Sequence, residues 1–129
     1  MNQIEFYEGK LEYETDSWDL SESLKNGENI VVVDVRSTEA YKVEHIPFAI
    51  SIPHRTISAD TTKNLDRSKI YVTYCDGIGC NASTKGALKL AKLDFKVKEL
   101  LGGLDWWKRD GYATEGENGA KGKTIICGC

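Results

Sequence analysis

The chain has 129 residues, of which 40% are hydrophobic and 29% charged, with a formal net charge of −3. That length is one domain by prior and buries roughly two-thirds of the unfolded surface; the charge gives no general pull toward nucleic acid or a membrane surface. No apolar run approaches the ~20 residues of a membrane span, and the opening MNQIEFYEGK lacks the basic and apolar regions of a secretory signal. The expectation is a cytoplasmic protein with neither nucleic-acid nor membrane partners, whose four cysteines are kept reduced.

The charge is unevenly spread. Residues 1–29 carry eight acids and two bases, whereas residues 30–129 carry 15 bases and 12 acids. Residues 10–27, KLEYETDSWDLSESLKNG, read as a short strand and then a helix, with Asp16 as N-cap and Gly27 as the stop. NIVVVDV (29–35) is a continuous apolar run of strand length, the mark of a strand covered on both faces. Ser37 or Thr38 caps a short helix through EAYKVEH, Pro47 ends it, and AISIP (49–53) is a second short strand. KIYVTYC (69–75), rich in β-branched and aromatic residues, is another buried strand.

Residues 81–94 form an amphipathic helix with Ala87, Leu88, Leu90, Ala91 and Leu93 on its apolar side and Lys85, Lys89 and Lys92 outward. FKVKELLGG is one more strand, stopped by Gly102–Gly103, and LDWWKRDG a short helix ended by Gly111. Strands alternating with helices predict an α/β fold, a parallel sheet with helices on both faces. Residues 1–115 read as a single domain, and 116–129, of turn composition, as a loose C-terminal tail.

Cys75 closes the strand that precedes the turn Asp76-Gly77-Ile78-Gly79-Cys80. In open parallel sheets, sites form at the carboxyl ends of strands. A glycine-containing turn there can assume positive φ and aim successive backbone N–H groups at one anion, and the following helix adds its positive end. A thiol so placed ionises more readily than a free one, and the thiolate is the nucleophile. Asp76 opposes this as an adjacent negative charge. The plainer reading of a strand-end cysteine is an inert core residue; the two glycines and second cysteine favour chemistry.

Further along, the sequence resembles the single-domain rhodanese-like sulfurtransferases. The matching residues are Asp34-Val35-Arg36, Glu39, Tyr41, His45-Ile46-Pro47 with Ala49, Ile52-Pro53, Tyr74-Cys75, Leu101-Gly102-Gly103-Leu104 and Trp107, in that order over roughly residues 28–112. The resemblance implies a rhodanese-like, mainly parallel five-stranded sheet flanked by helices. It also implies transfer of sulfane sulfur from a donor to a thiol or other thiophilic acceptor, a protein acceptor included, with no metal or organic cofactor. Cys75 maps onto the nucleophile that carries the persulfide. Asp76, Gly77, Ile78, Gly79 and Cys80 map onto the loop whose N–H groups cradle it.

The loop is similar to a subgroup with a Cys-x-Gly-x-Gly-Cys-Asn pattern. Where many family loops place a basic residue, directly after the cysteine or at the loop's sixth position, this chain has Asp76 and Cys80; Glu44 and Phe48 replace small residues around His45-Ile46-Pro47. Without a guanidinium in the loop, thiosulfate is expected to be a poorer donor than a persulfide or polysulfide. A related branch of phosphatases uses a Cys-x5-Arg loop, but the sixth residue after Cys75 is Asn81, which excludes that chemistry.

Cys80 has two readings, a resolving thiol that attacks the Cys75 persulfide or a small packing residue. Asp34 and Arg36 brace loops near the site or form only a local ion pair, and His45 reads as a structural histidine. His54 and Arg55 follow a strand end and line the pocket. One of Trp106 and Trp107 packs inward while the other reaches the rim. Cys127-Gly-Cys129 is too closely spaced for a zinc knuckle. Two rivals stand beside sulfur transfer: a thiol redox sensor using Cys75 and Cys80, and a non-catalytic protein-binding module.

Overall fold

A computed structural model describes residues 1–125 of the chain; Cys127 and Cys129 lie outside the described residues. Five strands form one sheet: β1 (Glu14–Thr15), β2 (Ile30–Asp34), β3 (Ile50–Ser51), β4 (Ile70–Tyr74) and β5 (Lys96–Leu100). Their order is β1-β5-β4-β2-β3, and every pairing is parallel. The helices are α1 (Gln3–Tyr13), α2 (Ser17–Lys25), α3 (Thr38–Val43), α4 (Ala82–Lys92) and α5 (Gly103–Arg109), with one 3-10 turn over His54–Thr56. This is the α/β architecture expected from the alternating pattern.

The uninterrupted apolar runs of β2 and β4 follow from burial on both faces. Val32, Val72 and Tyr74 pack on one side with Leu20 of α2 and with Leu104 and Trp107 of α5. Val33, Val35, Tyr71 and Cys75 pack on the other with Ala82 and Leu90 of α4. Successive strand residues point to opposite faces, so Tyr74 and Cys75, adjacent in sequence, serve different layers.

Both predicted caps form. Asp16 accepts from the Asp19 backbone N–H at 2.8 Å and Ser37 from that of Ala40 at 3.2 Å.

Three features differ from expectation. Residues 3–13 form helix α1 ahead of the short strand; Asn2 caps it, accepting from the Glu5 N–H at 2.9 Å, and none of its residues is buried. Helix α4 is rotated relative to the apolar side anticipated, burying Ala82, Ser83, Gly86 and Leu90 while Leu88 is 55% exposed. Gly86 sets that rotation, because a Cβ there would lie 2.8 Å from Val35 Cγ1; the glycine lets the helix backbone press on β2.

The segment after residue 115 is also tied to the body, where composition suggested a loose tail. Glu117 and Asn118 donate to the carbonyls of Lys42 and Val43, and Lys123 donates to that of Gly111. Thr114, just before it, donates to Glu44 Oε2 at 2.5 Å, and Lys108 Nζ sits 2.8 Å from Glu44 Oε1.

Two predictions follow from these contacts. The Tyr74 hydroxyl donates to Asp34 Oδ2 at 2.7 Å and accepts from the Ile46 N–H at 3.1 Å, all buried. Tyr74→Phe leaves the Ile46 N–H without its acceptor and removes one of the donors to Asp34, and is expected to lower stability by about 1–3 kcal/mol, read as a shift in urea midpoint at unchanged slope. Burial opposes ionisation of Glu44, but its hydrogen bonds from Lys108 and Thr114 outweigh that and hold its carboxyl below the usual value. Its stabilisation is therefore complete above the unfolded value of ~4.3 and is lost as pH falls through the lower folded value. Glu44→Gln is expected to weaken the protein at neutral pH and flatten the acid limb of its stability-versus-pH curve.

Candidate active site

The C-terminal ends of β2 and β4 meet at Asp34 and Tyr74, paired in register, and the chain beyond each builds the site. Asp34 is fully buried, and a buried carboxylate must be compensated. It accepts from the Tyr74 hydroxyl, from the Arg36 backbone N–H at 2.9 Å and from the Arg36 guanidinium, whose Nη2 lies 2.7 Å from Oδ2.

Arg36 has further partners. Its Nη1 donates to Asp76 Oδ1 at 2.9 Å and its Nη2 to the Glu44 carbonyl at 2.6 Å. Burial works against the guanidinium charge, but Asp34 and Asp76 outweigh it and hold Arg36 charged above its ordinary range. Burial beside Asp34 likewise pushes the Tyr74 phenol up, so it remains a donor.

The loop over residues 75–80 contains no basic residue, as its sequence says, but Arg36 brings a guanidinium to it from just beyond the end of β2. The partner of that guanidinium is Asp76, the acid expected to oppose a thiolate at Cys75. The ion pair offsets much of that opposition.

The loop is pinned from below by α5. The Leu104 N–H donates to the Cys75 carbonyl at 3.0 Å and the Asp105 N–H to the Asp76 carbonyl at 2.7 Å. In a trans peptide the N–H points opposite to the carbonyl, so the N–H groups of Asp76 and Gly77 face away from α5. Among the described residues, the backbone N–H groups of Asp76, Gly77, Ile78 and Gly79 donate to no protein acceptor.

Gly77 and Gly79 do not assume positive φ; that conformation falls instead on Gly102 and Gly103, at φ 80° and 58°. A Cβ on Gly103 would overlap the Cys75 carbonyl oxygen and lie 2.9 Å from the Gly77 nitrogen. The glycine pair that reads as a strand stop is thus what lets α5 reach the cysteine loop.

Cys75 is 3% exposed and, against the expectation of reduced thiols, is joined to Cys80 by a disulfide, with the two Cα atoms 6.3 Å apart. Six residues of loop therefore curve enough for the second sulfur to reach the first, within the span a disulfide allows. Two clefts flank the pair. One, of about 350 Å³, is lined by Cys75, Cys80, Arg36, His54 and Arg55, which places His54 and Arg55, a few residues beyond β3, at the pocket. Burial and the positive charges of Lys89, Arg55 and Lys85 push His54 below its usual value, so it is neutral at pH 7. The other cleft, of about 730 Å³, holds Ile78, Cys80, Trp106, Lys108, Glu44 and Val43 among its walls.

Trp106 lies on this rim, while Trp107 is buried and donates its indole N–H to the Ala113 carbonyl at 2.8 Å. His45 is structural, stacked on Tyr41 at 3.8 Å between centroids with Nδ1 2.7 Å from the Tyr41 carbonyl. Asp105 and Lys108 were missed by sequence reasoning. Only helical spacing behind Gly102–Gly103 pointed to them, and it does not say which face meets the site. Gly103→Ala is expected to destabilise the protein by more than about 2 kcal/mol, since it combines positive-φ strain with overlap; chemical denaturation measures it.

The same fold and sequence pattern occur in known proteins. The BH2092 protein from Bacillus halodurans superposes with a TM-score of 0.87 at 50% identity, over 97% of this chain and 92% of that one. The thiosulfate sulfurtransferase GlpE of Coxiella burnetii is 33% identical over 82 residues, 62% of this chain and 73% of that protein. An HTH-type transcriptional regulator of Mycobacterium tuberculosis, Rv0324, is 33% identical over 87 residues, and the match spans only 38% of its length. The model of the rhodanese-like domain matches residues 17–110, from the first residue of α2 to just past α5, and this chain belongs to the rhodanese-like domain family.

Proposed function

We propose that the chain is a sulfurtransferase working through a persulfide on Cys75. The observation that carries this reading is the pinned loop: α5 holds the carbonyls of Cys75 and Asp76, leaving the following N–H groups unengaged beside a strand-end cysteine. Reduction of the Cys75–Cys80 disulfide by a thiol frees the nucleophile. The Cys75 thiolate attacks the outer sulfur of a donor persulfide R–S–SH; the Cys75 S–S bond forms, the donor S–S bond breaks, and R–SH leaves. The loop N–H groups from Asp76 to Gly79 stabilise the terminal sulfur as an anion, in the manner of an oxyanion hole; that of Cys80, expected to join them, is spent on the Gly77 carbonyl at 3.2 Å. No metal or organic cofactor enters the scheme, and the thiol chemistry suits a reducing compartment such as the cytoplasm.

An acceptor thiol then attacks the outer sulfur and carries it away, restoring Cys75. Alternatively Cys80 attacks Cys75 Sγ and expels hydrosulfide, which closes the disulfide. The 6.3 Å Cα separation supports the second route. Persulfide or polysulfide fits the site better than thiosulfate, because the Arg36 donors are already committed to Asp34, Asp76 and the Glu44 carbonyl and offer a sulfonate no open fork. The disulfide equally favours a second reading, a thiol redox switch in which sulfur transfer is incidental.

Intact mass and peptide mapping separate the two. The reduced protein, Cys75→Ser and Cys80→Ser are exposed briefly to polysulfide and, separately, to thiosulfate. The expected result is one dithiothreitol-labile sulfur on Cys75 in Cys80→Ser, strongest with polysulfide, and hydrosulfide release with disulfide closure in the parent chain. Loss of two hydrogens in the parent chain with no sulfur on Cys75 in Cys80→Ser would replace the transferase by the switch.

A further inference from the structure

Helix α1 sits at the sheet edge next to β5 and α4 with an unpartnered apolar stripe. Ile4, Tyr7 and Leu11 follow helical i, i+3, i+7 spacing and are 67%, 60% and 84% exposed. The helix has 11 residues, contains Gly9 and buries no side chain. An isolated helix of that length is marginal in water, and an interior glycine weakens it further. Its acids, Glu5, Glu8 and Glu12, form no ion pair among the described residues.

Directly beside it, with Glu12 and Tyr13 of α1 forming one wall, runs a groove of about 770 Å³ whose apolar floor includes Ala87, Leu88, Ala91 and Val97 and whose far edge carries Lys96 and Lys98. Lys92, on α4, is exposed nearby. These lysines likewise form no ion pair among the described residues. An acidic apolar stripe and a basic apolar groove thus adjoin on one face of one chain.

We propose that this face pairs with a second copy of the chain about a two-fold axis, with α1 of each copy lying in the α4–β5 groove of the other. Both complementary halves belong to the same contiguous patch, which is the condition for an isologous, closed interface. Apolar contact of Leu11 and Tyr7 with Leu88 and Ala91 supplies the burial, and Glu8 and Glu12 against Lys92 and Lys96 set the register. The pairing also supplies what α1 lacks, a surface that covers it. Neither cleft beside Cys75 contributes to this face, so the interface is independent of the sulfur chemistry proposed above.

Sedimentation velocity of the full chain from low micromolar to sub-millimolar concentration tests this. The expected result is a monomer–dimer equilibrium that weakens with salt. The exposed pair Leu11→Glu and Leu88→Glu should weaken it by more than about 100-fold while the unfolding transition stays cooperative.

A charge-exchange experiment is more specific. Glu8→Lys/Glu12→Lys makes both halves basic, and Lys92→Glu/Lys96→Glu makes both acidic, so each variant alone should be monomeric. Mixed, they restore both opposite-charge contacts and should form a heterodimer. A parent chain that stays monomeric throughout, a dimer untouched by the two glutamates, or a mixture that stays monomeric would each overturn the pairing and leave the stripe to a different protein.

Discussion

The site depends on how one buried carboxylate is satisfied. Asp34 ends β2 fully enclosed, and an unpaired charge there would be prohibitive. Arg36 answers it two residues later in the same chain, and Tyr74 answers it from the neighbouring strand. Removing one member of such a buried set typically costs several kcal/mol, although the intact set contributes much less than that relative to apolar replacements. The network is better understood as a device of position than of stability. It fixes where β2 and β4 end relative to each other, and the cysteine loop begins at that point.

The same guanidinium makes that position matter chemically. One edge of Arg36 is spent on Asp34; the other reaches Asp76 in the loop and the Glu44 carbonyl at the end of α3. Three segments far apart in sequence are thereby held around Cys75. Because Asp76 is exposed, its bond to Arg36 is partly screened, whereas the Asp34 bond is sheltered. Arg36 is therefore a rigid post with one weaker arm, and the weaker arm is the one that touches the loop.

The positions of the main strands and helix caps were legible because their signals are local: β2 and β4 are apolar runs of the right length, and Asp16 and Ser37 cap as short polar residues do. The cysteine loop was legible as a strand-to-helix turn. The source of its shape was not. Glycines inside the loop suggested positive φ, yet the left-handed residues are Gly102 and Gly103 on a different segment, where the demand comes from close approach of two backbones. Such a contact leaves no mark in a single sequence beyond a glycine pair that a strand stop explains equally well. The guanidinium was likewise sought within the loop and is supplied from just beyond β2. Helix α1 escaped notice because it has no amphipathic stripe facing its own core.

A disulfide and a persulfide cradle look like competing descriptions of one loop, but they ask the same thing of the backbone. Both need Cys75 held at the end of β4 while the chain to Cys80 curves back over it. Both need the carbonyls turned away, so that no negative end of a peptide dipole faces the sulfur. The hydrogen bonds from Leu104 and Asp105 do that with the disulfide closed, and they engage the backbone, not the sulfur. A loop shaped in this way can close on its own second cysteine or hold a transferred sulfur without refolding. In the proposed chemistry the choice then rests on which thiol arrives first at the Cys75 persulfide, Cys80 or an acceptor from outside.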